Sequence, residues 1–415
     1  MKNGHHILIV NYDFPPNEGI GGRRWAKFAK QLAAEGYDVH VIKADPIEGN
    51  NQSVWKHDVE HENIHVYSLP RKYPVHFSHP KRDVVSRIKY RLHKWRLERN
   101  EEGTIYDISI GWKNELLSKA QSLIREYNIV NVMASGAPWK MLYDISGLKS
   151  VFAHLNLIID YRDPWLKALN YGIPGLNADR KRIEEMKQTF ILENASVIVT
   201  PYEYLTEELR QWNLLHCKNH PDFRVLTHFY DKADTEASKV VQKEKITLIY
   251  GGDLYQGIEK ELLLLKSEIL EIKSTHPLLY QKLSVKIFTH KHNDKTFADI
   301  EAVEVLPSVG KEIFKEVSNA SAVLIFLSPN KKNDRTTKFF ENLPSRKPYL
   351  IVAEDGEVTQ FVKENKLGYV LNKDDGSLAE FLQLIDEKKL NFNEQFNYEK
   401  FELKEITRQL ISMFK

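Results

Sequence analysis

A glycine- and proline-rich turn, Phe14-Pro-Pro-Asn-Glu-Gly-Ile-Gly-Gly22, follows the apolar run Ile7-Leu-Ile-Val10 and precedes Trp25, Phe28, Ala29, Leu32 and Ala33 at helical spacing. A strand, a glycine turn and a helix N-terminus form a physical anion site, because unpaired N–H groups and the helix dipole point at the turn. Gly21 and Gly22 would let a diphosphate approach the backbone; alternatively, they only make the turn. The dinucleotide fingerprint is not met, since Gly19-x-Gly21 is followed by Arg24 where a third glycine is needed, which argues against a nicotinamide enzyme. Further along, Asp160-Tyr-Arg-Asp-Pro-Trp165 places Arg162 and Asp163 just after another apolar run, where parallel sheets put their ligand crevices. An ion pair between these two neighbours, bracing the loop, is the alternative.

Other chemistries are excluded by what surrounds these residues. The single cysteine, Cys217, cannot form an internal disulfide, no Cys/His group has zinc spacing, and a reducing cytosol is expected. The sixteen histidines form no motif, and His5, His6, His290 and His292 read as surface or strand-end residues. With 59 Lys plus Arg against 57 Asp plus Glu, overall charge points to no nucleic acid. The first apolar run is too short for a signal-peptide core, and no later run approaches a membrane span.

The elements that must position these residues alternate between β-branched runs and amphipathic stretches, the pattern of βα units with parallel sheets. At 415 residues, two domains of about 200 residues each are expected. The alternation breaks in the polar stretch from Asp231 to Lys245 and restarts at Ile246-Thr-Leu-Ile-Tyr250. The boundaries are therefore drawn at 1–235, 236–396 and a terminal helical segment, 397–415, which is a candidate to cross back to the first domain.

One segment is locally basic. Residues 81–99 carry eight Lys or Arg against two acids, with Val84, Ile88, Leu92 and Trp95 at helical spacing. Such a helix suits an anionic bilayer, with Arg87, Lys89, Arg91, Lys94 and Trp95 facing it. A helix packed on its own domain with a solvated basic face explains the same pattern.

From Ile7 to Ile42 the chain resembles the opening of family-4 glycosyltransferases, through Phe14-Pro-Pro16, Gly19-Ile-Gly-Gly22, Arg24-Trp25 and Lys27-Phe-Ala-Lys30. Ser135-Gly-Ala-Pro138, Asp160-Tyr-Arg-Asp-Pro-Trp165 and Thr336-Thr-Lys-Phe-Phe-Glu341, with Lys347-Pro348 behind, extend the resemblance over most of the chain. It implies the GT-B fold: two Rossmann-like parallel-sheet domains facing across a cleft, acceptor-binding first and donor-binding second.

The resemblance also implies roles. Glu341, ending a Glu-x7-Glu motif, would grip the ribose hydroxyls, a sensible task for a carboxylate, unless it is simply a solvated helix residue. Thr336, Thr337 and Lys338 would begin the same helix at the distal phosphate, removing the need for a metal ion. Arg162 and Asp163 would face donor or acceptor, with Asp163 orienting the acceptor hydroxyl, and Ser135 would lie on the acceptor side. Two positions depart from the family: Asn333 stands where the first Glu would fall, and Asp253, in Tyr250-Gly-Gly-Asp-Leu-Tyr-Gln-Gly257, stands at the usual Arg. Phosphate charge would then fall to Arg23, Arg24, Arg162, Lys311, Arg335 and Lys338, beside the glycines Gly21, Gly22 and Gly252.

The expected activity is retaining transfer of a hexose from a nucleoside diphosphate sugar, UDP-linked, to a growing glycan or lipid-linked acceptor. It would need no cofactor or metal, in the cytoplasm or at the inner membrane face. A nucleotide-sugar 2-epimerase and a catalytically silent GT-B binding protein are the rivals.

Overall fold

Ile7, Leu8, Ile9 and Val10 are all fully buried, so the strand they form must be covered on both faces. A parallel sheet flanked by helices meets that requirement. The computed structural model describes residues 5–17, 20–46, 53–74, 77, 83–234, 245–255, 257–291 and 295–415. Gly19, Lys81, Arg82, Gln256, His292 and most of the polar stretch around the expected 235/236 boundary lie outside the described residues. The chain divides into two compact units, residues 1–227 with 407–415, and residues 228–406.

The first unit holds seven parallel strands: β1 (His5–Val10), β2 (Tyr37–Ala44), β3 (Ile64–Leu69), β4 (Asn131–Gly136), β5 (Asn156–Tyr161), β6 (Val197–Thr200) and β7 (Asp222–Val225). Their order is β3-β2-β1-β4-β5-β6-β7. The second holds β8 (Ile246–Gly251), β9 (Leu283–Thr289), β10 (Val303–Pro307), β11 (Ala322–Phe326), β12 (Tyr349–Val352) and β13 (Gly368–Leu371), in the order β10-β9-β8-β11-β12-β13. Both are doubly wound sheets in which the first strand of the unit lies beside the fourth. The chain reverses direction across the sheet at that pair, leaving a crevice at the strands' carboxyl ends. In the second unit apolar side chains pack on both faces of the sheet, Leu248 and Leu324 on one, Ile249 and Ile325 on the other.

The last residues are fastened into the first unit. Asn156 Nδ2 donates to the Met413 carbonyl at 2.7 Å and Asn131 Nδ2 to that of Lys415 at 3.1 Å. Among the described residues no helix is long and apolar enough to cross a membrane.

In the middle of β2, His40 is 1% exposed. Its Nε2 lies 3.1 Å from His6 Nδ1 and its Nδ1 3.2 Å from Tyr67 Oη. Burial, and then the nearby His65 and His6, push its pKa from 6.5 down to about 4, with Asp38 opposing and Lys119 adding slightly. The unfolded chain therefore takes up a proton below its ordinary pKa that the folded chain refuses until about pH 4. Stability contributed by neutral His40 is complete above pH 6.5 and falls through this window, by up to about 3 kcal/mol. Urea unfolding from pH 7 to 4 is expected to show that decline, and His40→Phe to flatten it; an unchanged slope in the variant would remove His40 as its source.

Candidate functional site

In the first unit, the crevice edge is organised by a buried carboxylate. Asp160, at the end of β5, is fully buried. Its Oδ2 accepts from Trp25 Nε1 at 2.7 Å, Ser135 Oγ at 3.1 Å and Arg24 Nε at 3.2 Å. Arg24 also donates to the carbonyls of Leu226 at 2.6 Å and Thr227 at 2.9 Å. Arg24 thus has all three nitrogens engaged within the unit, and burial pulls its pKa down against the pull of Asp160. Arg23, also buried, lies with its guanidinium carbon 4.9 Å from the centre of the Trp55 ring. Ser135, expected on the acceptor side, is fully buried as one of the donors to Asp160.

Arg162 ties the start of the first helix to the end of β4. Its Nε donates to the Gly136 carbonyl at 2.7 Å, one terminal nitrogen to Gly21 O at 2.8 Å and the other to Ala137 O at 2.9 Å. These bonds replace the ion pair to its neighbour, and Asp163 stands exposed at the rim. Gly21 and Gly22 lie inside the helix Ile20–Ala34, in its first turn, rather than in the turn before it. A Cβ on Gly22 would fall 2.1 Å from the Asp13 carbonyl, so glycine there lets the helix start approach the loop after β1.

Asp13 is a residue that motif reading passed over. Its carboxylate lies 3.6 Å from an Arg71 nitrogen and close to Gly21, and burial raises its pKa although Arg71, Arg162 and Lys43 act to lower it. Burial also lowers the Lys43 ammonium to about 8. The only signal in the sequence was position, immediately beyond the first strand, because Arg71 and Lys43 come from separate segments.

The second unit repeats the arrangement with different groups. Gly252, after β8, has φ 151°, and a Cβ there would meet Lys338 Cε at 2.0 Å and Nζ at 2.3 Å. The φ favours glycine there, and the flexible end of the lysine side chain lies over the turn. Lys338 Nζ donates to Tyr250 Oη at 2.9 Å and stands 4.7 Å from that ring's centre. Tyr250 Oη in turn donates to the Asp253 carbonyl at 2.8 Å. Burial lowers the Lys338 pKa, with Tyr255, Asp253 and Glu341 opposing that shift. Glu341, half-buried, lies one turn on in the helix Thr337–Asn342, on the same face. Thr337 opens that helix, and before it the Thr336 hydroxyl is buried without a hydrogen-bond partner.

Both departures from the family pattern have a structural account. Asn333 Oδ1 accepts from Glu357 N at 3.1 Å, capping the helix Glu357–Glu364. Asp253 Oδ1 lies 2.9 Å from His290 Nδ1, so histidine from the end of β9 partners the carboxylate where a cation was expected. Arg335 turns to the helix Glu357–Glu364, its Nε 3.7 Å from Glu357 Oε2 and its guanidinium 4.6 Å from the Phe361 ring centre. Lys311 Nζ pairs with the buried Asp234 at 3.1 Å. Of the cations expected at phosphate in this unit, Lys338 is the one the structure lays on the glycine turn.

The basic segment forms the helix Val84–Asn100. Arg87, Lys89, Arg91 and Trp95 are exposed on it, while Lys94 is half-buried, its Nζ 3.7 Å from Glu98 Oε1.

Neither family models nor curated protein sequences give a match. Solved structures do, over nearly the whole chain. The apo structure of OtsA superposes with a TM-score of 0.65 at 10% identity, covering 99% of this chain and 98% of that one. An Escherichia coli trehalose-6-phosphate structure bound with UDP-2-fluoro glucose gives 0.63 at 10% identity and 98% of both chains. The Neisseria meningitidis UDP-GlcNAc 2-epimerase bound to UDP-GlcNAc gives 0.51 at 12% identity, with 98% and 99% covered. The chain has the GT-B fold, with two Rossmann-like parallel-sheet domains.

The Asp160 cluster makes a stability prediction. Asp160→Asn leaves the buried Arg24 guanidinium without its counter-charge, and breaking such a pair costs about 3–5 kcal/mol. Denaturant unfolding is expected to show a loss of that order; a loss below about 1 kcal/mol would mean that the surrounding carbonyls satisfy Arg24 alone.

Proposed function

We propose that this protein is a glycosyltransferase that moves a hexose from a UDP-sugar to a growing glycan or lipid-linked acceptor in polysaccharide biosynthesis, in the cytoplasm, with retention of anomeric configuration. The observation that carries the reading is the Lys338 ammonium lying on the Gly252 turn at the carboxyl end of β8, beside the reversal of the sheet. A turn without a side chain and a half-sequestered cation together suit a diphosphate, which needs both close backbone approach and charge. The orphaned Thr336 hydroxyl beside Lys338 supplies a further polar group suited to the same ligand. Glu341, one turn along, is within the reach of one nucleotide from that phosphate site and is assigned to the ribose hydroxyls.

The second unit is thus the donor domain and the first the acceptor domain. Retention proceeds by front-face substitution: the acceptor hydroxyl attacks as the bond to the diphosphate breaks, and the leaving phosphate takes the hydroxyl proton. Lys338 stabilises the charge that develops on the diphosphate. In the first unit Arg162 holds the crevice edge in shape through three carbonyls, and the exposed Asp163 orients the acceptor hydroxyl. The epimerase reading is supported by the likeness to the Neisseria meningitidis enzyme, which has the same fold. The silent binding reading draws on Asn333 and Asp253, which serve helix capping and pairing with His290.

Calorimetric titration separates the two donor-site roles. Lys338→Met is expected to weaken UDP about tenfold to hundredfold, since a hydrogen bond to a charged group contributes about 1.5–3 kcal/mol, and to leave uridine unchanged. Glu341→Gln is expected to weaken both. Unchanged UDP affinity in Lys338→Met would remove the phosphate site from this turn. If the wild-type chain binds no UDP- or GDP-linked sugar, the silent reading replaces the enzyme; free UDP released steadily without acceptor favours the epimerase or hydrolysis.

Transfer is expected to persist in EDTA, because the charge on the diphosphate is met by Lys338 and backbone N–H groups. Activity that vanishes with chelator and returns with manganese would contradict this donor site.

A further inference from the structure

The helix Val84–Asn100 has two faces of opposite character. Asp83 caps it, accepting from the Ser86 N–H at 2.8 Å. Ser86 is buried, and Tyr90 and Leu97 pack against the cluster of Tyr73, Phe77, Ile105 and Ile110, so this side holds the helix to its unit. The other side carries Val84, Ile88, Leu92 and Trp95, which are 70%, 62%, 53% and 56% exposed. Spaced three or four residues apart, they form one apolar stripe about 16 Å long. The sequence pattern admitted a helix using this stripe to pack on its own domain; the structure packs the opposite face instead.

The stripe has cationic borders. At about 100° per residue, Arg87 and Arg91 fall along one edge and Lys89 and Arg96 along the other, and all four are exposed. Arg99 lies with its guanidinium carbon 5.6 Å from the Trp95 ring centre. A contiguous apolar face left in water marks an interaction surface. Positive charge on both borders selects an occupant that is anionic in a plane and apolar beneath it. A lipid surface offers both at once, whereas a protein groove would need acidic rims on either side. We propose that this helix docks the protein on an anionic lipid bilayer, with Ile88, Leu92 and Trp95 entering the acyl boundary and Arg87, Lys89, Arg91 and Arg96 meeting headgroup phosphates. Lys94, half-buried and paired with Glu98, is not part of this surface.

Sedimentation of the full chain with phosphatidylglycerol/phosphatidylcholine vesicles tests it, with pure phosphatidylcholine as the neutral surface. Wild type is expected to pellet with the anionic vesicles and more strongly at ~0.05 M than at ~0.15 M salt. Replacing Arg87, Lys89, Arg91 and Arg96 by Gln is expected to weaken binding roughly fivefold per charge at low salt. Ile88, Leu92 and Trp95 replaced by Ser is expected to abolish pelleting, with circular dichroism confirming that the variant is folded. Brominated lipids should quench tryptophan emission of the bound wild type, and much less that of Trp95→Phe. Wild type that fails to pellet at either salt, or pellets equally with neutral vesicles, overturns the proposal. So does a Ser variant that changes oligomeric state while wild type ignores vesicles, the outcome expected of a protein partner. Lipid binding is read directly, so the result does not depend on whether the chain transfers sugar.

Discussion

The first unit depends on one buried carboxylate. Asp160 sits at the carboxyl end of a central strand, and a single oxygen accepts from Trp25, Ser135 and Arg24. Three segments distant in sequence, the first helix, β4 and β5, are thereby held at one point. Burying a charge carries a large desolvation cost that only several good partners offset. The arrangement tolerates little movement, and the start of the first helix is fixed relative to the strand ends. Arg162 extends the same constraint to the rim by holding carbonyls from that helix and from the end of β4 and the residue after it. What remains at the rim, Asp163 and the Asp13 carboxylate near Arg71, is presented by a rigid edge.

The second unit solves the corresponding problem with a cation. Lys338 is drawn onto the Gly252 turn and held there by Tyr250, whose hydroxyl is itself anchored to the Asp253 carbonyl. Burial weakens the hold of the ammonium on its proton, and an anionic ligand would restore it. In the proposed donor site this would favour a negatively charged group without an arginine in the turn. Asp253, in the same turn, is partnered by His290.

Alternation of apolar runs with amphipathic stretches determined the class of the fold, because a strand such as Ile7–Val10 with no polar face can only lie in a parallel sheet covered on both sides. Glycines soon after β1 and β8 marked local backbone demands: Gly22 packs against the Asp13 carbonyl, and Gly252 takes a φ that disfavours a Cβ. The periodicity of Val84, Ile88, Leu92 and Trp95 fixed which residues share a face of their helix. All of these are short-range properties, legible within about a dozen residues.

Which partner each charged group took was decided only by the tertiary structure. Arg24 and Lys338 are both basic residues near a helix start, yet one is engaged by Asp160, 136 positions away, and the other lies on a turn 86 positions before it. Nothing near either residue in the chain distinguishes them. Asp13 gained its neighbours Arg71 and Lys43 in the same way, and the exposure of the apolar stripe followed from Tyr90 and Leu97 filling the contact on the other side. Sequence determines periodicity and local backbone freedom, but a charge or an apolar face is satisfied by whatever the folded chain brings beside it, and that choice is long-range.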